Sequence, residues 1–329
     1  MKKNIRMLEK PLVSMLIPSF NHAQYVQQCI ESVIAQDYKN IELLIIDDGS
    51  SDDSVAKIKE MTPACKDRFT RFEFRSRPNK GLTATINEAL EWARGKYYAA
   101  IASDDILYPN KTSVLVEHLE NEPADVAGVF SGREVIDETG TVIHTAKKSV
   151  VFYPSFNDII SLKSTICTAS QLLRLNVLRN VIRSYPERLY IEDWYTWLAL
   201  TNSGYRLKIV PDILVQYRYH KSNSIKNRLQ MLEAQKTILS FYKKHPLYNY
   251  SMSLCYIDSA IGLSCSSKKE SAICIIKAIG FDQNILFTRK FLSACVRLIV
   301  PVPLLSQGKR RFLTVKHKDI AFLLCKNMF

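Results

Sequence analysis

The chain has 329 residues, room for about two ordinary domains, and its 47% hydrophobic and 23% charged residues are the balance of a folded globular protein. Only 10 Gly and 12 Pro exclude collagen-like and linker-rich architectures, and no run nears the roughly 18 apolar residues of a membrane span. The net charge is +13, but residues 226–329 hold 17 Lys+Arg against 5 Asp+Glu, so +12 of it sits in the last third. A basic tail on a neutral body predicts attraction to an anionic surface. No recognisable nucleic-acid motif accompanies the charge, which argues against nucleic acid as that surface. The eight cysteines form no C-x-x-C pair and no zinc spacing, and they are assigned no chemistry. Met1 to Lys10 is charged and the apolar run after it is too short for a secretory signal, so the expected location is cytoplasmic, either free or peripheral at the inner face of the plasma membrane.

Taken in order, Val13-Ser-Met-Leu-Ile17 is an apolar run of strand length, stopped by Pro18. Asn21 is placed to cap a helix reaching Gln36, with Tyr25, Cys29, Ile30, Val33 and Ile34 on one face. Ile41 to Ile46 reads as a second buried strand closed by Asp47-Asp48-Gly49-Ser50, and Asp52 as the cap of a helix over residues 53–61. Arg71 to Arg75 is a third strand, and the loop over residues 77–81 leads into a helix from Leu82 to Arg94, ended by Gly95. Tyr97 to Ala102 makes a fourth strand, Pro109 opens a helix to Asn121, and Val126 to Phe130 makes a fifth strand. This alternation predicts a parallel α/β sheet with helices on both faces. The polar strand ends at Ser19, Asp48, Asn79 and Asp104 should then line one crevice at its carboxyl edge. Residues 131–165 are less regular; Glu192 to Asn202 reads as helix, and Tyr205 to Tyr219 as two strands parted at Pro211-Asp212. Helical periods dominate from Asn227 on, which predicts a domain over residues 1–225 and a basic helical extension over 226–329.

Three acidic pairs, Asp47-Asp48, Asp104-Asp105 and Glu192-Asp193, each follow an apolar run or open a helix. One such pair is an ordinary turn former or cap, but three on one sheet edge repel unless a cation sits among them. Carboxylates with open positions suit Mg²⁺ or Mn²⁺ shared with a phosphorylated ligand. No G-x-G-x-x-G follows the first strand and no G-x-x-x-x-G-K-[ST] occurs, which argues against a dinucleotide oxidoreductase or a P-loop NTPase. Nucleophile signatures for serine or cysteine chemistry are absent too.

The ordered set Val13-Ser-Met-Leu-Ile-Pro-Ser-Phe-Asn21, Ile45-Ile-Asp-Asp-Gly-Ser-Ser-Asp-Asp53, Asn79-Lys-Gly81, Ala102-Ser-Asp-Asp105, Ile191-Glu-Asp-Trp194 and Tyr217-Arg-Tyr-His220 resembles family 2 glycosyltransferases of the GT-A fold. The resemblance covers residues 11–225 and implies a Rossmann-like, mostly parallel mixed sheet that binds a nucleotide-sugar donor. It implies that Pro18 and Ser19 border the nucleotide, Asp48 accepts a hydrogen bond from the base, and Asn79 and Gly81 lie against the nucleoside. Asp104 would approach the ribose, and Asp105 would bind Mn²⁺ or Mg²⁺ directly or through water. His220 matches an element near the diphosphate, as a metal or phosphate group, with Arg218 beside it toward the phosphate. Asp193 would be the general base of an inverting transfer; Glu192, one residue away on a helix, points about 100° aside. UDP is the favoured nucleotide, with a lipid-carrier-linked glycan (a polyprenyl diphosphate) as acceptor in surface-polysaccharide synthesis of the O-antigen or capsule type. A nucleotidyltransferase of similar sheet and a non-catalytic binding subunit stay open as alternatives.

In the tail, residues 287–300 form the clearest helix: Arg289, Lys290, Ser293 and Arg297 share one arc, with Phe287, Phe291, Leu292, Ala294, Cys295, Leu298 and Ile299 opposite. Two readings follow. The helix packs on the catalytic domain with a solvated cationic face, or it lies on an anionic leaflet through Arg289, Lys290, Phe291 and Arg297.

Overall fold

A computed structural model describes residues 10–164, 166–220 and 227–301. The elements begin with β1 (Val13–Ser19), α1 (Val26–Ile34), β2 (Ile41–Asp47), α2 (Ser54–Arg68), β3 (Arg71–Ser76), α3 (Leu82–Trp92) and β4 (Tyr97–Ala100). Next come β5 (Ile106–Leu107), α4 (Lys111–Glu120), β6 (Val126–Ile136), β7 (Val142–Ala146), α5 (Phe156–Ile160), β8 (Gln171–Arg174) and α6 (Leu175–Ile182). The chain continues with α7 (Glu192–Asn202), β9 (Arg206–Arg218), α8 (Arg228–Ser240), α9 (Tyr248–Leu263), α10 (Lys268–Phe281) and α11 (Arg289–Ile299).

The strands form one mixed sheet in the order β3-β2-β1-β4-β8-β6-β9-β5, with β7 on β6. β3, β2, β1 and β4 are parallel, as the alternating sequence predicts. Beyond β4 the pattern changes: β8 inserts antiparallel between β4 and β6, so β6 runs in the direction of β4 without pairing with it, and β9 pairs parallel with β6. β2 is buried along its whole length, and its apolar run packs with Cys29, Ile30 and Val33 of α1 and Ile58 of α2. Glu42, a carboxylate inside that strand, is equally buried and accepts from Ser14 Oγ (2.6 Å), the Arg94 N–H (2.6 Å) and Arg71 Nη1 (3.2 Å). Three donors offset the cost of burying that charge among apolar neighbours.

Several local expectations are corrected. α1 starts at Val26, not at Asn21; Asn21 has φ +53 and its Oδ1 accepts from the Ser51 N–H at 2.8 Å. Asp52 likewise serves two segments of the chain, accepting from the Ala23 N–H and the Ser54 N–H, both at 3.0 Å. Both side chains join the loops after β1 and β2, and Asp52 also accepts the first N–H of α2 as expected of a residue at the helix start. β9 is one strand, not two: Phe130 pairs with Ile209 but Gly132 with Ile213, so the register slips at Pro211 and the missing N–H is tolerated as a bulge.

The described residues form two compact units, one of residues 10–156 and 166–220, the other of 157–164 and 227–301. In the second unit α9 is buried over most of its length, with α8, α10 and α11 packed on it. The orientation of α11 corrects one premise the two tail readings share, an outward cationic face. Its cationic arc faces inward: Lys290 Nζ pairs with Asp258 at 3.0 Å, and Ser293 and Arg297 are buried. Arg289 alone of that arc is exposed, Phe291 is half-buried, and the side turned to solvent is apolar. The period of a helix shows that its two stripes differ; an inward partner such as Asp258 decides which stripe faces in.

Candidate functional site

Three loops leave the carboxyl ends of β1, β2 and β4 side by side, because these strands are parallel neighbours. Asp48, just past β2, donates its N–H to the Ser19 carbonyl at 2.8 Å, and Pro18 lies half-buried one residue earlier. The Asp48 carboxylate accepts from the Lys80 N–H (2.8 Å), the Gly81 N–H (2.9 Å) and the Arg77 guanidinium. It therefore shapes the 77–81 loop, and of its lone pairs few remain for a base. Gly81 has φ +91, and a Cβ there would meet nothing within 4 Å, so it opens α3 with free space before it. Asn79 is exposed beside it. Ser19 Oγ is buried and has no hydrogen-bond partner among the described residues.

The tightest cluster forms after β4. Asp104 Oδ2 is 2.7 Å from His220 Nε2, and Asp104 Oδ1 is 3.9 Å from His22 Nδ1. His22 Nδ1 also bonds Ser103 Oγ at 2.8 Å, and the two imidazoles meet edge to face with centroids 5.6 Å apart. Ligating atoms of His22, Asp104 and His220 all lie within 4.8 Å of one another. Burial lowers the pKa of His22, with Asp104 opposing, which favours the neutral ring that a metal ligand requires.

Asp105 and Arg218 sit elsewhere than expected. Asp105 is buried with Oδ1 accepting the Arg218 N–H at 2.8 Å, and burial, then the charge of Asp104, pushes its carboxyl well above the ordinary range. Among the described residues, the group with ligating atoms close enough to hold one ion therefore includes Asp104 and not Asp105. Arg218 is 2% exposed; its Nε donates to the Asp104 carbonyl (2.9 Å), Nη2 to Gln28 Oε1 (2.7 Å) and Nη1 to the Asp137 carbonyl (3.2 Å), over the Tyr25 ring. It is a strut fixing the end of β9 to the Asp104 loop, not a group held open for phosphate.

Asp193 lies in the first turn of α7, half-buried, with Oδ1 accepting the Trp194 N–H (2.6 Å) and Oδ2 the Thr168 hydroxyl (2.9 Å). The turn Thr168–Ser170 packs on β4, β6 and β9, the first leading to Asp104 and the last to His220. Burial raises the Asp193 carboxyl above its ordinary value against the pull of those two hydrogen bonds, and burial raises Glu192 as well, with Asp193 adding to it.

The sequence profile of Glycosyl transferase family 2 matches residues 14–181, half of the chain. The chain belongs to glycosyl transferase family 2. An uncharacterised glycosyltransferase of Rickettsia prowazekii is 27% identical over 247 residues, 74% of each chain. Chondroitin synthase of Escherichia coli is 32% identical over 133 residues, 40% of this chain and 19% of that one. Among solved structures, S. aureus TarS residues 1–349 with UDP-GlcNAc superpose with a TM-score of 0.61 at 15% identity, covering 91% of this chain and 92% of that one. A mannosyltransferase of Pyrobaculum calidifontis with GDP-Man and Mn²⁺ gives 0.56 at 12% identity, covering 89% and 88%. The fold of this family 2 glycosyltransferase is accordingly GT-A.

Three members of the site escape a sequence reading. His22 follows the β1 motif with no partner residue nearby in sequence, and Ser103 and Thr168 are single hydroxyls. Gly49 had a usable signal, its place between Asp48 and Ser50: it has φ +81, and a Cβ there would come within 2.7 Å of the Asn79 nitrogen.

Proposed function

We propose that this family 2 glycosyltransferase moves a sugar, with inversion, from a nucleoside diphosphate donor to a hydroxyl of a lipid-linked glycan in surface-polysaccharide synthesis. The observation that carries the reading is the set of half-buried His22 with buried Asp104 and His220 beside the strand-end loops. Two imidazoles and a carboxylate form a donor set that suits Mn²⁺ better than the all-oxygen preference of Mg²⁺. Ser19 Oγ, buried without a partner among the described residues, is a hydroxyl at the same edge that a ligand could satisfy. A UDP-sugar is the first candidate donor, supported by TarS with UDP-GlcNAc and with UDP, and a GDP-sugar the second, supported by the GDP-Man complex.

In this reading Asn79, Gly81 and the Pro18-Ser19 turn hold the nucleoside, and Asp48 keeps their loop in shape. His22, Asp104 and His220 would hold a divalent ion, which when bound would supply positive charge against the departing diphosphate. Asp193 takes the proton of the acceptor hydroxyl as its oxygen attacks the anomeric carbon. The bond to the diphosphate oxygen breaks on the opposite face, and the configuration inverts. A base with a raised pKa is the stronger base, and the half-buried setting of Asp193 provides that.

Calorimetry and thermal shift with UDP, GDP, dTDP and CDP, each with and without Mn²⁺, test the donor. The expected outcome is Mn²⁺-dependent stabilisation by one nucleotide, since a ligand bound only to the folded state raises the melting temperature. Asp104→Asn should remove the Mn²⁺ dependence and Asp105→Asn should not. A Mn²⁺ response lost in Asp105→Asn alone would return the metal to Asp105.

A further inference from the structure

α11 is amphipathic the wrong way round for a helix at rest in water. Lys290, Ser293 and Arg297 point into the second unit, and the C-terminal carbonyls of Arg297 and Val300 are held by Lys268 Nζ. Outward, Leu292, Val296 and Ile299 form a continuous stripe, and Leu286 and Phe287 of the turn Gln283–Phe287 precede it. Phe287 is 90% exposed, Ile299 83% and Leu292 64%. One such residue on a surface is ordinary, but a row with a long aromatic at its head marks an interaction surface.

The charges around the stripe identify the partner. Neither α11 nor the turn before it contains a carboxylate. Arg289 is exposed at the edge of the stripe, and Lys269 and Lys277 are exposed on α10, which packs against it. The sequence beyond Pro301 adds six Lys+Arg against one Asp. A second copy seated on this stripe would bring like cations together, whereas an anionic bilayer pairs with them and takes up the apolar side chains.

We propose that α11 docks this protein on an anionic lipid surface through its apolar face, with Phe287, Leu292 and Ile299 entering the acyl boundary and Arg289 meeting the headgroups. The mode is the reverse of a cationic face laid on a leaflet: the helix uses its own cations to hold its place in the second unit and leaves its apolar side for the membrane. The proposal does not rest on the donor chemistry, and binding measured without nucleotide keeps the two separable.

The test is flotation of the full chain with phosphatidylcholine vesicles, with and without phosphatidylglycerol. The wild type should float with the anionic vesicles only. Leu292→Ser combined with Ile299→Ser should weaken binding by about tenfold or more, with the circular dichroism spectrum and the nucleotide response unchanged. Arg289→Glu, a solvent-facing change, should weaken it too and supplies a second variant should the first misfold. Equal flotation of wild type and both variants, or no flotation of the wild type, overturns the proposal. Light scattering that shows a dimer split by Leu292→Ser and Ile299→Ser overturns it in favour of a second copy.

Discussion

Thr168 Oγ1 donates to Asp193 Oδ2 at 2.9 Å, and a hydroxyl in that position stabilises the ionised carboxylate and limits its rise in pKa. If Asp193 is the base, the acid limb of the kcat profile reports its deprotonation. Thr168→Val removes the donor, so the carboxyl rises further and the limb should move to higher pH by about one unit. Thr168→Ser keeps the hydroxyl and should restore the limb, a rescue that loss of packing alone would not produce. Asp193→Asn should lower kcat by about 10²–10⁴-fold, the usual contribution of a positioned base, with KM little changed. Of these two groups only Asp193 is legible in the sequence, where an acidic pair opens a helix. Thr168 becomes a partner because a short turn packs on three strands that are distant in sequence.

At the scale of loops and strands, Gly49 holds the strand-end architecture. Its φ of +81 lies in the region that favours glycine, and a Cβ would sit 2.7 Å from the backbone nitrogen of Asn79. Gly49→Ala therefore meets strain and a backbone clash together, and should cost about 1–3 kcal/mol in denaturant unfolding. Gly81→Ala meets the strain alone and should cost less, about 1 kcal/mol. Lys111, the first residue of α4, makes a different link: it is buried, and Nζ donates to the Gln171 carbonyl that opens β8 at 2.8 Å. Burial lowers its pKa from 10.5 to about 7. Between those values the unfolded chain binds a proton that the folded one does not, so stability contributed by this group rises with pH across the window. The slope is at most about 1.4 kcal/mol per pH unit. The wild-type minus Lys111→Met difference in unfolding free energy, followed from pH 7 to 10, should show that rise. A flat difference would mean the amine stays charged.

The parallel half of the sheet is legible because Val13–Ile17 and Ile41–Ile46 are apolar runs that only a two-sided burial explains. The antiparallel insertion of β8 is not, because Gln171–Arg174 is four residues long and its place is set by pairing with β4 and β6. α11 shows the same limit: its period is plain, and its orientation is fixed by Asp258 on another helix.

Across the whole chain, the two compact units carry two separate surfaces, and this separation is measurable. Amide exchange slows where a ligand suppresses local opening, and only there when the cooperative units are independent. A nucleotide with Mn²⁺ should protect the loops around residues 19–22, 48–51, 77–81 and 102–105 together with 218–220, whose side chains and backbone bonds form one network through Asp48, Asp104 and Arg218. Anionic vesicles without nucleotide should protect residues 286–299 and leave those loops at their free rates, because the apolar stripe of α11 belongs to the other unit. Exchange by mass spectrometry on the full chain reads both in one experiment. Protection of the loops by vesicles alone would show that the two units are coupled, and that lipid contact also orders the donor site. Protection at neither place by the matching ligand would remove the corresponding surface from consideration.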